Sequence, residues 1–545
     1  MQWLPHLPIL PILIPLFTSG VLLLLKDSRR KVRLALSFAS MFLQLVVAAN
    51  LLGITLGTEP DMWPTGIAVY LLGDWPAPFG IVLVVDRLAA MMVMLNTIVG
   101  GAALIYAVTR WERSGVHFLP FAHFLFMGLN GAFLTGDLFN LFVFFEVLLV
   151  ASYALMLHGS GEERVTAGMH YIVVNLIASF LLLIAIALIY AVTGTLNLAD
   201  IAMKAGQLQG GDRRLFESAA AVLSAAFLIK AAAWPLNFWL PATYATASPP
   251  SAAMFAIMTK LGVYCLLRMG SLLLPSGAPA AFGGEWMFAV GLATLVFGTI
   301  GVLATQKAQR LAGFAAILSS GILLTSLGVP GVTLTGPALY YLIVSVIALA
   351  AFYLLLELIE RSRSFGADLL AVSMEAFDLD DPEPTDDTDD VVGMAIPGAM
   401  AFLGMAYICC ALLITGMPPL AGFVGKFTLM TAALQTSATD TPTIAIWLLI
   451  TAILVSGVAC LYAFLRTGIR LFWSSEETVT PRLQVTEAVP VGGLILIAVA
   501  LTIWAGPVLG YLNQTALWLD QPQAYVEAVL SHNPVRELTT SRGTP

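Results

Sequence analysis

The sequence predicts an all-α integral membrane protein of about fourteen transmembrane helices. Of its 545 residues, 59% are hydrophobic and 11% are charged, whereas a soluble domain carries about 25% charged residues. Many apolar runs exceed the roughly 18 residues that allow a helix to span a bilayer. These runs show no alternation of period two, which favours a helix bundle over a closed barrel as the way to satisfy the backbone in lipid.

Charged or Pro/Gly-rich breaks separate the apolar runs into individual spans. The predicted spans are 4–25, 34–54, 81–108, 116–135, 138–157, 168–192, 216–238, 249–272, 286–305, 310–328, 336–358, 396–436, 443–465 and 488–510. Span seven carries Pro235 near its end, and span twelve contains Pro418 and Pro419. Proline removes a backbone donor and clashes with the preceding turn, so both spans are predicted to be broken. Broken helices at corresponding places suggest an internal repeat with a site at its interface.

The basic residues predict the orientation of the chain. The loop after span one contains Lys26, Arg29, Arg30, Lys31 and Arg33, and such clusters mark the cytoplasmic side. Alternating the loops from that point assigns ten further loop lysines and arginines to the same side and six to the other. We therefore expect both termini on the outer side of the membrane.

Several classes of site are not indicated by the sequence. The cysteines, Cys265, Cys409, Cys410 and Cys460, lie in apolar runs without C-x-x-C spacing, which is typical of buried inert thiols. No P-loop, dinucleotide fingerprint or H-E-x-x-H motif is present. We therefore predict no cofactor and no metal site. Outside one acidic segment the charges are nearly balanced, so nothing indicates nucleic-acid binding.

The acidic segment lies in one long polar insertion, residues 364–392. Its acidic residues are concentrated between Glu375 and Asp390, where no basic residue occurs. This composition predicts a disordered, solvated cytoplasmic loop. Docking of a partner subunit or binding of a cation is the alternative interpretation.

Four charged residues stand out because they lie deep inside predicted spans or follow a predicted break: Glu146, Lys230, Lys260 and Lys426. A charge near the bilayer centre costs at least ~2.5–3.5 kcal/mol and usually marks an ion or proton pathway. A structural Glu146–Lys230 pair and a snorkelling Lys426 are the alternatives, but Lys260 is too deep to snorkel. Burial favours the neutral form of a lysine, whereas a nearby carboxylate favours its protonated form. A carboxylate that approaches a buried lysine and then retreats can therefore make the lysine take up a proton and release it again.

Weaker candidates surround these four residues. They are Asp137 at the start of span five, His170 at the start of span six, Thr259 beside Lys260, and Ser319 and Ser320 in span ten. A histidine suits proton transfer near neutral pH, although packing is its commoner role. The hydroxyls can hold a water chain, but they equally often bond to their own helix.

Other polar and aromatic residues near span ends are interpreted as interfacial anchors. They are Asp86, Arg87, Trp234, Phe238 and Trp239. Asp137 has the same alternative interpretation. Tryptophan is enriched where a helix leaves the hydrocarbon region.

Three segments resemble a known family. They are PLNFWLPATYATASPPSAAMFAIMTKLGVYCLLR at 235–268, the glutamate span NLFVFFEVLLVASYAL and the broken helix TGMPPLAGFVGKFTL. They resemble the antiporter-like subunits shared by Mrp-type multisubunit cation/proton antiporters and respiratory complex I. The likeness covers roughly residues 80–470. It implies a fourteen-helix fold with two inverted five-helix repeats, spans four to eight and nine to thirteen.

The resemblance also implies roles for the buried charges. Glu146 matches the family's span-five glutamate, and Lys230 its span-seven lysine. Lys260 matches the central span-eight lysine, and Lys426 the span-twelve lysine of the exit half-channel. Span eleven departs from the pattern, because Val344 and Leu349 stand where many relatives place a histidine and a lysine.

The same repeats divide the chain into four regions. They are 1–110 with spans one to three, 111–275 with the first repeat, 276–470 with the second repeat and the acidic insertion, and 471–545 with span fourteen and the tail. The length and the segment ATYATASPPSAAMFAIMTKLGVY are most similar to the D-type subunits of Mrp (Pha) antiporters.

We therefore expect a proton-translocating subunit of a Na⁺ or K⁺/H⁺ antiporter in the bacterial inner membrane, and not an enzyme. Its expected partners are A-, B- and C-type and small subunits, the lipid bilayer, protons and Na⁺ or K⁺. The alternative is a proton-pumping subunit of a respiratory NADH dehydrogenase or membrane-bound hydrogenase. A non-transporting scaffold remains a third hypothesis, and a transporter of an organic solute is less well supported.

Overall fold

The computed structural model describes residues 4–60, 62–114, 117–159, 161–273, 282, 284–377, 398–436, 444–472 and 483–532. Most of these residues are helical. The helices are α1 (Leu10–Leu24, after a 3-10 segment at Leu4–Ile9), α2 (Arg30–Thr55), α3 (Arg87–Ala107), α4 (Phe118–Leu134), α5 (Leu138–Met156), α6 (Glu162–Thr193), α7 (Leu198–Ala205), α8 (Gly210–Lys230), α9 (Trp239–Thr246), α10 (Pro249–Leu273), α11 (Glu285–Ala304), α12 (Ala308–Leu327), α13 (Thr335–Phe377), α14 (Gly398–Thr415), α15 (Ala421–Thr436), α16 (Ile444–Phe472), α17 (Val485–Ile503), α18 (Ala505–Asp520) and α19 (Gln523–Leu530).

Twelve of the described helices are long and apolar enough to cross a membrane. The protein is therefore a multi-pass membrane protein. Helices α4 and α8 occupy the places of predicted spans four and seven but are not among the twelve; α4 has 17 residues. The count of fourteen stays a prediction.

Both predicted helix breaks are confirmed. Helix α8 ends at Lys230, and the chain becomes helical again only in α9. Helix α14 ends at Thr415, and α15 begins at Ala421. Each break therefore divides one span into two shorter helices.

The two breaks also share their local backbone geometry. Ala232 in the first break has a φ of 54°, and Gly416 in the second has a φ of 76°. The next amide donates to a carbonyl five residues earlier in both, from Ala233 to Leu228 at 2.9 Å and from Met417 to Leu412 at 3.1 Å. A proline follows two residues after that amide in each case. Two distant segments thus fold locally in the same way.

Two helix hairpins resemble each other as well. Helix α4 contacts α5 so closely that a Cβ on Gly128 would lie 2.6 Å from the Cβ of Leu148. In the α11–α12 hairpin, a Cβ on Gly298 would lie 3.0 Å from the Cβ of Leu318. Only a residue without a side chain permits this approach.

Basic residues that the orientation prediction assigns to one side do meet at one end of the molecule. Arg30 contacts Glu112 at 2.8 Å. Arg110 lies 3.7 Å from Glu357, one turn before Arg361 on α13. The alternation of the loops is consistent with this arrangement, whereas the side of the membrane on which this end lies stays a prediction.

The opposite end holds a small β-hairpin that we did not predict. Strand β1 (Ala68–Leu71) pairs antiparallel with β2 (Val82–Val85). The prediction of helix from residue 81 is wrong at its start, because α3 begins only at Arg87. Short apolar runs do not distinguish a strand from a helix by periodicity.

Two further segments differ from prediction. Helix α13 continues through Phe377, so residues 364–377 are helical and the prediction of a disordered loop is wrong there. The rest of that insertion, 378–392, lies outside the described residues. After α17 the chain forms α18 and α19 where a span end and a tail were expected.

Candidate functional site

Lys260 lies at the middle of α10 and is completely buried, with 0% of its surface exposed. Its Nζ donates to Ser319 Oγ at 2.5 Å and to Ser320 Oγ at 3.0 Å, both on α12. The structure therefore brings together three of the predicted residues. Among the described side chains, no carboxylate oxygen lies within 4.0 Å of this ammonium group. Two neutral hydroxyls hold it, so no fixed negative charge binds its proton.

Lys230 is the last residue of α8 and is 5% exposed. Its Nζ has no hydrogen-bond partner among the described residues and lies 4.6 Å from the centroid of the Phe145 ring. An ammonium group is attracted to the face of an aromatic ring, which partly replaces a counter-ion.

Glu146 lies on α5, next to Phe145. Its Oε1 is buried without a partner in the described part of the chain. The carboxylate interacts electrostatically with Lys230, but the two do not form a salt bridge. The interpretation of Glu146 and Lys230 as a structural ion pair is therefore not supported, because the two side chains are neighbours without a direct contact.

A small cavity of about 10 Å³ separates Lys230 from Thr259, the neighbour of Lys260. We call it the inner cavity; its polar lining includes Tyr171, Asn175, Lys230, Trp239, Tyr244 and Thr259. The volume suits about one water molecule. Two of its lining groups, Lys230 Nζ and Trp239 Nε1, are buried donors without a protein acceptor in the described residues. Buried donors are nearly always hydrogen-bonded, so a water at this place has two groups to bind.

Lys426 lies on α15 and is 3% exposed. Its Nζ donates to Thr415 O at 2.7 Å and to Ile414 O at 3.3 Å. These are the last carbonyls of α14, which have no partners within their helix and carry the negative end of its dipole. The snorkelling interpretation is therefore wrong, since the break itself supplies the acceptors for this lysine.

Helix α13 packs against both α10 and α15. Val344 and Leu349, where the resemblance led us to look for polar residues, are both buried. Ser345 is the one hydroxyl in the stretch between them, and it donates to Leu342 O at 2.9 Å. The departure seen in the sequence is thus an apolar stretch in the middle of this helix.

Comparison with known proteins identifies the family. The family described as NADH:quinone oxidoreductase/Mrp antiporter, TM, matches residues 135–456. The probable D-type subunit of a K⁺/H⁺ antiporter from Rhizobium meliloti (strain 1021) is 47% identical over 536 residues, 97% of this chain and 98% of that protein. The chain belongs to this antiporter family.

Other members agree over the full length. The D-type subunit of a Na⁺/H⁺ antiporter from Alkalihalophilus pseudofirmus is 32% identical, covering 96% of this chain and 99% of its own. A chain of the Mrp complex from Dietzia sp. DQ12-45-1b is 25% identical, with a TM-score of 0.78 and coverage of 96% and 99%. Antiporter subunits are secondary transporters and not enzymes, as the sequence led us to expect.

The remaining predicted residues lie in varied places within this antiporter fold. Asp137 caps α5 by accepting from the Asn140 amide at 2.8 Å. Thr259 lines the inner cavity. His170, in contrast, is exposed on α6, so its position does not support a relay with the lysines.

The interfacial interpretation fails for two residues of the antiporter fold. Asp86 forms a bidentate pair with Arg268 at 2.6 and 2.7 Å and also caps α3. Trp239 is buried against the inner cavity, whereas Trp234 and Phe238 are exposed. Burial of a residue at a helix end depends on neighbouring helices, which the local sequence does not reveal.

Sequence reasoning missed the aromatic lining around Lys230. Phe145 faces Lys230, and Tyr244 lines the inner cavity. Both residues belong to motifs that carry the family resemblance. Their positions in those motifs were the available signal, but an aromatic residue in an apolar span does not show which neighbour it faces.

Proposed function

We propose that the chain is the D-type subunit of a bacterial plasma-membrane Na⁺ or K⁺/H⁺ antiporter and carries protons along Lys230, Lys260 and Lys426. One observation carries this proposal, the burial of Lys260 with Ser319 and Ser320 as its only hydrogen-bond partners in the described part of the chain. A structural lysine at this depth would need a carboxylate, because an unpaired buried charge is costly. A lysine held by neutral hydroxyls can release its proton without leaving a buried anion behind.

The first step uses Glu146 and Lys230. The carboxylate favours the charged lysine through space, while the absence of a direct contact leaves the amino group free to exchange its proton with water. Small movements of α5 relative to α8 change this interaction, since Coulomb energy varies strongly with distance in a low-dielectric site. The pair thus loads and empties Lys230.

The second step passes a proton from Lys230 towards Lys260. The inner cavity carries this route from Lys230 as far as Thr259, the residue that precedes Lys260 on α10. One water in this cavity accepts a proton from Lys230 Nζ and donates one towards the hydroxyls around Lys260. Each transfer leaves the amino group neutral and ready for the next proton.

The last step leads from Lys260 to Lys426. The middle of α13 offers Ser345 but no ionisable side chain, which makes this the driest part of the route. The carbonyls of Ile414 and Thr415 stabilise the charged form of Lys426, because they form the negative end of α14. Lys426 is therefore the site that holds a proton before it leaves.

The two halves of the route belong to two related five-helix units, spans four to eight and nine to thirteen, which we propose to be inverted repeats. Matching breaks after Lys230 and before Lys426 support this relationship, as do the matching α4–α5 and α11–α12 hairpins. The domain limits near residues 110, 275 and 470 follow from it. A/B/C-type and small subunits complete the complex. Moving one proton down ~100 mV releases about 2.3 kcal/mol, which drives the expulsion of a cation.

Full-length likeness to D-type antiporter subunits favours the antiporter over a pump of a respiratory dehydrogenase. The test is Lys260→Ala in the whole complex reconstituted in lipid vesicles. We expect cation-induced proton movement, followed with a pH-sensitive dye, to fall by about tenfold or more. Lys204→Ala, which removes a partly exposed lysine paired with Asp200, is the control and should retain transport. Unchanged transport in Lys260→Ala removes this lysine from the route.

A further inference from the structure

A polar cavity of about 350 Å³ lies at the end of the molecule predicted to be cytoplasmic. We call it the vestibule. Its charged lining residues are Arg110, Arg164, Glu357, Glu360 and Arg361. They belong to separate parts of the chain, so the vestibule forms only in the folded protein. Its size allows many waters, in contrast to the inner cavity.

Glu357 is fixed in the wall of the vestibule. Its carboxylate accepts from Tyr106 OH at 2.8 Å and from Trp111 Nε1 at 2.8 Å. Tyr353 lies one turn earlier on α13 and also lines the vestibule, as residues four positions apart share a helix face. A carboxylate held in this way attracts protons to the water beside Tyr353.

Tyr244 lies between the two cavities and lines both of them. Its ring packs edge-on against that of Tyr353, with centroids 6.1 Å apart and an interplanar angle of 70°. It also packs against Trp239 at 6.2 Å. These three rings thus fill the space between the vestibule and the inner cavity.

The hydroxyls of the two tyrosines differ. Tyr244 OH donates to Phe255 O at 2.9 Å, which fixes its proton. Tyr353 OH is buried, with the residue 4% exposed, and has no partner among the residues that the structure describes. In the described ranges, three buried donors around these cavities thus lack a hydrogen-bond partner, namely Tyr353 OH, Trp239 Nε1 and Lys230 Nζ.

We propose that Tyr244 and Tyr353 close the passage between the vestibule and the inner cavity, and that the Tyr353 hydroxyl transfers the proton across this closure. The hydroxyl takes a proton from vestibule water and, when the Tyr244 ring moves aside, gives its own proton to the water of the inner cavity, so it is unchanged after each transfer. Rotation of the O–H bond resets it. This inference rests on the proposed proton route and adds the step by which protons enter it from the vestibule.

The first test removes only the hydroxyl, with Tyr353→Phe in the reconstituted complex. We expect proton movement to fall by about tenfold or more, the usual contribution of a positioned proton-transfer group. The matched control is Tyr340→Phe on the same helix, whose hydroxyl bonds to Leu501 O at 2.9 Å outside both cavities. Assembly of the complex is measured for both variants. Transport in Tyr353→Phe equal to that of Tyr340→Phe overturns the role of the hydroxyl.

The second test measures access and does not depend on transport. Leu149→Cys places a thiol in the inner cavity, at a position that is 2% exposed. The complex in lipid nanodiscs is treated with silver ion, a small hydrated cation that binds thiolates, and the thiols left free are quantified by mass spectrometry. We expect slow blocking in Leu149→Cys alone and several-fold faster blocking when Tyr353→Ala is added.

The control for access is Leu149→Cys with Tyr340→Ala, which loosens the same helix elsewhere. Equal blocking rates with Tyr353→Ala and with Tyr340→Ala overturn the closure. A failure of the lysine route gives a different pattern, since Lys260→Ala would then transport normally while the blocking rates still decide whether the tyrosines close the passage.

Discussion

Replacement of Gly416 by alanine tests whether transport depends on the position of the Lys426 side chain in the second break. A Cβ on Gly416 would lie 2.5 Å from Lys426 Cδ and 3.1 Å from its Nζ, whereas ordinary contacts begin at 3.4 Å. The lysine side chain must therefore move, although its Nζ now lies 2.7 Å from Thr415 O. A shift of about an ångström is enough to exceed the range of a hydrogen bond.

The free-energy cost has two parts. A residue with a Cβ at this positive φ costs about 1–2 kcal/mol in the backbone. Loss of a hydrogen bond to a charged group costs about 1.5–3 kcal/mol. A difference of about 1.4 kcal/mol corresponds to a factor of ten. Loss of the hydrogen bond therefore lowers the population in which Lys426 Nζ is bonded to Thr415 O by about tenfold to a hundredfold.

Gly331→Ala separates the two parts. Gly331 has a φ of 72°, and nothing lies within 4 Å of the position of its Cβ. This control therefore carries the backbone cost alone. Both variants are assayed for cation-induced proton movement in vesicles containing the complex, with assembly measured in parallel. Transport by Gly416→Ala within twofold of Gly331→Ala would refute the reasoning, because displacement of Lys426 would then not matter.

Two further predictions concern contacts of the lysine site and of the opposite end. Ser319→Ala combined with Ser320→Ala should slow proton movement by about tenfold or more, since each hydrogen bond to a charged group contributes about 1.5–3 kcal/mol. The control is Ser326→Ala, which removes a hydroxyl that donates to Ile322 O, and it should leave the rate of proton movement unchanged. Arg268→Met should lower the free energy of unfolding by about 3–5 kcal/mol because it leaves Asp86 buried without its partner. Adding Asp86→Asn, which keeps an acceptor for the α3 cap, should restore part of the thermal stability of the solubilised complex, and no restoration would contradict this explanation.

Features that depend on neighbours along the chain were predictable. The apolar runs located helices, because a segment in lipid must satisfy its own backbone hydrogen bonds. Prolines located both breaks, since proline removes a donor wherever it stands. The depth of Lys260 within its run predicted its burial, because a side chain about ten residues from either end cannot reach water.

Features that depend on distant contacts were not predictable in the same way. The sequence left a structural Glu146–Lys230 ion pair open as an alternative, but the structure places Lys230 Nζ over the Phe145 ring without a salt bridge to Glu146. It left the partners of Lys426 open, and the carbonyls of α14 turned out to bind it. The hairpin before α3 and the helices after α17 were missed for a related reason, since short segments take their form from the surface on which they pack.

Local sequence thus determined where the long apolar helices lie, where two of the spans break and which charged residues fall within them. The tertiary structure alone decided what each charge contacts, because α5, α8, α10 and α12 meet at residues far apart in the chain. It also decided that Tyr244 and Tyr353 stand between the vestibule and the inner cavity. A cavity is the space that several helices leave between them, and no single helix encodes that space.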